Sequence, residues 1–253
     1  MLPRQRRRTI VELVSERDGC SVTELAEELG FSEATIRRDL QTLEEEQLIE
    51  RSHGGALPVT SVGNEEAYDQ KEVQNLEVKR TLADHAIEEL RDGEIVFFDT
   101  GTTTMQIAKL APHDGSIVPV TNSPLLALEL GQGKNEVKIT GGTLRRSTKA
   151  LVGPSAESFM KRMHFDLLYL GTNAIDVDAG LTTPNEDEAQ AKRIMIENST
   201  RVVLVADETK FDERSFVQFA SFEEIDLVIT DSRLSEAYRT AFDESNTNYV
   251  DDI

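Results

Sequence analysis

The chain has 253 residues, 47 of them acidic and 27 basic, for a formal net charge of −20. That length admits one large domain or two smaller ones, with a core that needs no covalent staples, and the single cysteine, Cys20, excludes an internal disulfide framework and points to a cytoplasmic setting. No apolar run approaches the ~20 residues of a membrane helix, the basic start MLPRQRRRTI has no apolar stretch behind it, and four scattered histidines give no metal-ligand spacing. Membrane, metal and cofactor are therefore not expected. Only nine of the 27 basic residues are lysines. Acid excess with few lysines suggests a surface that stays hydrated in strong salt, and it disfavours non-specific attraction to nucleic acid.

The charge is uneven. Residues 1–57 hold eight arginines against twelve acids. Pro3 starts a first helix with Ile10, Leu13 and Val14 as its apolar stripe, and Asp18-Gly19 ends it. Cys20 lies at the entry to a second helix, where a small buried residue is expected. Ser21 or Thr23 caps this helix, Ser21 with Glu24 fits a capping box, Leu25, Ala26 and Leu29 face inward, and Gly30 closes it. Ser32 caps a third helix, SEATIRRDLQTLEEEQ, with Ile36, Leu40 and Leu43 on one face. LIERSHGGALPV then reads as two short strands around His53-Gly54-Gly55. The layout is a winged helix-turn-helix over residues 1–58, followed by a linker over 59–75.

On the third helix, Thr35, Arg37, Arg38 and Gln41 point away from the apolar stripe, toward a DNA groove. Arginine reads guanine edges or clamps phosphate. Arg6, Arg7 and Arg8 on the first helix, and Arg51 and His53 on the wing, are candidates for backbone contact. The N-terminal arginines serve equally well as plain helix solvation.

From residue 76 to 253, segments of helix and strand alternate, beginning with EVKRTLADHAIEEL and EIVFFD, which implies an α/β domain with a mainly parallel sheet. The tail DESNTNYVDDI is acidic and polar and reads as a solvated end. The stretch DTGTTT, Asp99 to Thr104, stands where a strand hands over to a helix. In open α/β sheets ligands bind at such strand ends. Gly101 permits close approach, and hydroxyls with N–H groups of Thr102, Thr103 and Thr104 at a helix N-terminus suit phosphate. Asn122 in TNS, Gly141-Gly142 and Gly171-Thr172 also follow strands, so one rim is expected. Glu188 and Lys192, at i and i+4, share a helix face. Lys210 in ADETK is placed to counter a phosphate. Arg145-Arg146 is either a second clamp or a surface turn.

SVTELAEELGFSEATIRRDLQTLEEEQLIERSHGGA closely resembles the DNA-binding segment of DeoR-type transcriptional repressors, through the TIRRDL core and the RxHGGA wing. Phe31 stands where that family often has Val, and Glu46-Gln47 replaces a Gly before the hairpin. DTGTTT, VTNS, TGGTLRRSTKALVGP, EDEAQAKRIMI and VADETKFDERSF look like the sensor domain of the same family, whose fold is similar to ribose-phosphate isomerases and CoA transferases. The resemblance implies a repressor of sugar or glycerol genes and a homo-oligomer, dimer or tetramer, on operator DNA. It implies a phosphorylated sugar or related metabolite as effector, held by Asp99, Gly101 to Thr104, Asn122, Gly141, Gly142, Glu188, Lys192 and Lys210. The rival reading is a phosphosugar isomerase with an accessory DNA-binding domain.

Overall fold

The computed structural model describes residues 2–17, 19–45, 48–52, 54–57 and 67–253. It divides into two compact units, 1–76 and 77–253.

In the first unit, helix α1 (Pro3–Glu16) leads to a two-residue strand β1 (Cys20–Ser21), then α2 (Val22–Leu29) and α3 (Glu33–Glu45). The capping box forms: the Glu24 N–H donates to Ser21 Oγ at 3.1 Å, and the Ser21 N–H donates to Glu24 Oε2 at 2.8 Å. Gly30 ends α2 in the left-handed conformation at φ 69°. Ile10, Val14, Leu25, Ile36, Leu40 and Leu43 are fully buried together. Each such side chain contributes about 1.5–3 kcal/mol on burial. Cys20 is buried among them.

The expected hairpin, β2 (Glu50–Ser52) and β3 (Gly55–Leu57), is present as the outer part of a three-stranded sheet of order β1-β3-β2. Strand β1 pairs with β3 through Cys20 opposite Ala56 and Ser21 opposite Gly55. A Cβ on Gly55 would meet the Cys20 carbonyl oxygen at 2.2 Å, so this pairing requires glycine. His53, Pro58 at the end of the expected head and residues 59–66 of the expected linker lie outside the described residues. The rest of that stretch groups with the first unit and contains a short helix, α4 (Tyr68–Lys71).

Helix α5 (Leu76–Ala86), all but its first residue in the second unit, gives way to a 3-10 turn at Ile87–Glu89 before the expected helix is complete. Seven parallel strands follow: β4 (Ile95–Phe98), β5 (Val118–Thr121), β6 (Lys138–Ile139), β9 (Leu167–Leu170), β12 (Val202–Val205), β14 (Leu227–Ile229) and β15 (Asn248–Val250). Their order is β15-β14-β12-β9-β4-β5-β6. The central strands alternate strictly between two cores. Phe97, Leu168, Leu170 and Leu204 join one, with Met160 of helix α8 (Pro154–Met160), Ile194 of α9 (Glu186–Glu197) and Phe242 of α10 (Glu236–Ser245). Phe98, Leu167, Tyr169 and Val203 join the other, with Leu82 of α5, Ile107 of α6 (Thr102–Leu110) and Leu126 of α7 (Pro124–Leu130). Helices thus cover both faces, as an all-parallel sheet demands.

Two smaller sheets carry no clear signal in the sequence. Strands β7 (Thr143–Leu144) and β8 (Leu151–Val152) form an antiparallel pair. Strands β10 (Ala174–Asp176), β11 (Gly180–Thr183) and β13 (Val217–Ala220) form an antiparallel sheet. The tail is not a solvated end. Its first residues finish α10, Thr247 is buried, and β15 pairs with β14. Arg239 binds Asp251 at 2.6 Å and helps to fix it.

Candidate functional site

The head presents α3 as expected. The Thr35 N–H donates to Ser32 Oγ at 3.3 Å, and the two hydroxyls share a further bond at 2.9 Å, so Ser32 serves as the helix cap. Arg37, Arg38 and Gln41 are exposed, and Thr35 is half-buried. Arg37 pairs with Glu33 across one helical turn at 2.7 Å. Such an exposed pair holds little energy, so Arg37 can exchange it for a phosphate or a base edge. Arg38 has no side-chain partner among the described residues. Arg51 is exposed on β2, and Arg7 and Arg8 are half-buried on α1.

Arg6 is a correction. Its guanidinium is buried, with Nε at 2.6 Å from Asp39 Oδ2 and Nη2 at 3.3 Å from Oδ1, and its Cζ lies 4.4 Å from the centre of the Phe31 ring. A side chain spent on this bidentate pair is unsuited to neutralise DNA phosphate. It ties α1 to α3. Asp39 is the residue that the sequence reading missed. It falls on the buried stripe, between Ile36 and Leu43, and a carboxylate there signals a buried cation nearby.

The second unit places its candidate site at the topological switch point. Chain order runs from β4 through β5 to β6 on one side and from β9 outward on the other, so the carboxyl ends of β4 and β9 flank a crevice. Asp99 follows β4 and is fully buried. The Gly171 N–H, after β9, donates to Asp99 Oδ2 at 3.2 Å, and Asn122 Nδ2, after β5, donates to Oδ1 at 3.4 Å. Lys192 reaches down from α9 to Asp99 Oδ2 and also donates to the Gly171 carbonyl at 2.8 Å. Burial pushes the Asp99 carboxyl above the usual carboxylate range, and the Lys192 ammonium pulls it back down.

Around this pair the loop is braced from within. Asn122 Oδ1 accepts from the Thr100 N–H at 2.8 Å. Thr104 Oγ1 donates to the Asp99 carbonyl at 2.7 Å and to the Gly101 carbonyl at 3.0 Å, so this hydroxyl shapes the turn and is already spent as a donor. Gly101 precedes α6 without a side-chain cap. The first-turn N–H groups of Thr102, Thr103 and Thr104 have no acceptor among the described residues. A nine-residue helix directs those donors, and the positive end of its dipole, at the crevice.

Glu188 is buried one turn before Lys192, close enough to raise the Asp99 carboxyl further. Arg145 and Thr148 both donate to Glu188 Oε1. Thr148 was missed by the sequence reading, and no periodic or spacing signal marks it. The structure therefore brings together Asp99, Gly101 to Thr104, Asn122, Glu188 and Lys192, sets Arg145 of the expected clamp or turn beside them, and adds Thr148. Gly141 and Gly142 follow β6 with φ of 72° and 109°. A Cβ on Gly142 would meet the Val152 carbonyl at 2.5 Å, so this residue seats β7 against β8. Lys210 follows the strand next to β9. It ends a 3-10 turn after β12, two strands from β4, with no ion pair or side-chain hydrogen bond among the described residues. Among those residues no helix is long and apolar enough to cross a membrane.

A winged head with an arginine-bearing helix, followed in the chain by an α/β unit with a polar switch-point crevice, defines a ligand-responsive DNA-binding regulator. Residues 6–62 match the DeoR-like helix-turn-helix domain, and residues 74–232 match the DeoR C-terminal sensor domain. The chain belongs to the DeoR family of transcriptional regulators. It is 63% identical over 253 residues to the HTH-type transcriptional regulator GlpR of Haloferax volcanii, covering 100% of this chain and 99% of that one. It is 36% identical over 230 residues to the glycerol-3-phosphate regulon repressor of Escherichia coli K12, covering 90% of each. Among solved structures, a ribose 5-phosphate isomerase from Methanocaldococcus jannaschii matches 54% of this chain and 55% of its own, at a TM-score of 0.40 and 15% identity. The isomerase alternative gives way to the family assignment: the protein is a transcriptional regulator and not an enzyme.

Proposed function

We propose that this protein represses genes of glycerol or sugar-phosphate use and leaves its operator when a phosphorylated polyol or sugar binds the switch-point crevice. The observation that carries the reading is the uncapped first turn of α6, three N–H donors beside the buried Asp99–Lys192 pair. Backbone donors hold phosphate without needing net positive charge, which suits a chain of −20. Buried carboxylates next to them suit the hydroxyls of a polyol. The regulon names of the relatives agree with that chemistry. Heads in a dimer or tetramer would read operator half-sites, and effector binding would favour an arrangement with the wrong half-site spacing. Such a protein works in the cytoplasm, in salt strong enough to need an acid-rich surface.

Genomic fragments retained by the purified protein in strong salt would supply the operator. Fluorescence anisotropy of that operator would then be followed during titration with glycerol-3-phosphate, several sugar phosphates and unphosphorylated glycerol. Release by one phosphorylated compound, and none by glycerol, is the expected outcome. Operator binding indifferent to every phosphorylated compound would overturn the effector reading.

A further inference from the structure

Residues 137–156 form the longest stretch of the chain without a carboxylate, and they carry Lys138, Arg145, Arg146 and Lys149. Within a protein of −20 this is a local island of positive charge. Its middle, residues 141–150, is a strap that starts at Gly141-Gly142 and lies beside the crevice. It is closed on itself by the Arg145 N–H to the Ala150 carbonyl at 2.8 Å and the Lys149 N–H to the Arg145 carbonyl at 3.0 Å. Several hydrogen bonds tie it to the crevice. Thr100 Oγ1 donates to the Thr148 carbonyl at 3.4 Å, the Leu151 N–H donates to the Asn122 carbonyl at 2.7 Å, and Arg145 and Thr148 hold Glu188. The Arg145–Glu188 tie joins charged groups. Thr148 thus touches both the residue that leads into α6 and the carboxylate on α9.

We propose that the strap is the latch of the effector site. In this structure Arg145 and Thr148 are held by the Glu188 carboxylate, and an anionic effector on the first turn of α6 takes both donors away from it. The argument is charge balance. Asp99 with Lys192 and Glu188 with Arg145 make two pairs of opposite charge, so a phosphate on the backbone donors competes with a carboxylate for either cation. The Lys192 ammonium is the deeper of the two cations, shared between Asp99 and the Gly171 carbonyl. Arg145 is the more exposed and is carried on a strap between two positive-φ glycines and the hairpin strand β8. A guanidinium also matches phosphate through paired N–H donors. Exchange of Glu188 for phosphate would leave Glu188 free to accept effector hydroxyls and would shift the strap, which converts occupancy into movement.

The inference rests on the effector reading above, so the test has one arm with no ligand. Glu188→Gln removes the charge that holds the latch and should raise trypsin cleavage after the exposed Arg146 several-fold without any added compound. Thr148→Val should do so more weakly and serves if Glu188→Gln fails to fold. Unchanged cleavage in both overturns the latch whatever the ligand result. In calorimetry with glycerol-3-phosphate and with inorganic phosphate, Arg145→Gln should weaken binding roughly tenfold or more, the scale of one charge-assisted hydrogen bond. Glu188→Gln should tighten inorganic phosphate binding, and Arg146→Gln should change little. Equal losses for Arg145→Gln and Arg146→Gln would reduce the strap to diffuse charge and overturn the proposal. A wild-type protein that binds neither probe while cleavage responds as expected would count against the effector reading and leave the Arg145–Glu188 hold standing.

Discussion

Two arginines of the head look alike in the sequence and differ in the folded chain. Arg6 is buried against Asp39, whereas Arg38 is exposed on α3. Arg6→Ala should cost the head about 3 kcal/mol, because it strands a buried carboxylate, and urea unfolding would show it. Arg38→Ala should leave that unfolding curve in place and weaken operator binding by about 1–3 kcal/mol, the worth of one base-reading contact. Retained operator affinity would remove Arg38 from the groove. In the sensor unit Lys192→Met leaves Asp99 buried without its ammonium, at a cost of about 3–5 kcal/mol near neutral pH. The sign of its pH dependence follows from the raised Asp99 pKa. The folded chain keeps that proton to a higher pH than the unfolded chain does. The Asp99 contribution is therefore full at acid pH and lost as pH climbs through the raised value. Without Lys192 the raised value moves higher still. The penalty of Lys192→Met should shrink toward about pH 4, the ordinary carboxylate range. A penalty flat with pH would show that the pair is not what the substitution breaks.

At the scale of elements, the head is held by a few short-range devices. Ser21→Ala removes one half of the capping box on α2 and should cost about 1 kcal/mol. Gly55→Ala should cost about 3 kcal/mol, at the upper end for overpacking, because the new methyl group meets backbone at 2.2 Å and β1 must part from β3. Thermal melts of the two variants would check the order of these effects, and equal costs would contradict the close approach at Gly55. The same elements show what a sequence exposes. Helices α1 to α3 announce themselves through stripes such as Ile36, Leu40 and Leu43, and β4, β9 and β12 through runs such as LLYL and VVLV. Asp99 and Asn122 were visible because strand ends in a parallel sheet share one rim, and Glu188 and Lys192 through their i, i+4 spacing on one helix face. Strand β1 was not, because two residues have no period and are strand only through their partner β3. Strands β10 and β11 were hidden for a related reason: AIDVDAGLTT is too short and too mixed for alternation to show. The Glu188 contacts of Arg145 and Thr148 were hidden because about forty residues separate the partners.

For the whole molecule the dominant fact is self-repulsion. With 47 acids against 27 bases, the surface carries far more like charge than dilute buffer can screen. The screening length falls from about 10 Å at 0.1 M to about 3 Å at 1 M, so the Tm should climb as KCl is raised across that range. A Tm that falls with salt would assign the acids to stabilising pairs instead. The last strand matters at this scale too. Strand β15 is the outer strand of this sheet, and its short polar run, NYV followed by two aspartates, is a poorer template for pairing than the apolar LVI of β14 would be. Strong salt weakens the charge repulsion that keeps such an edge from finding a partner. In strong salt the make-up of the edge strand therefore counts for more. Truncation before Thr247 should thus leave operator reading intact in dilute protein while driving self-association as salt and concentration rise, which light scattering would detect.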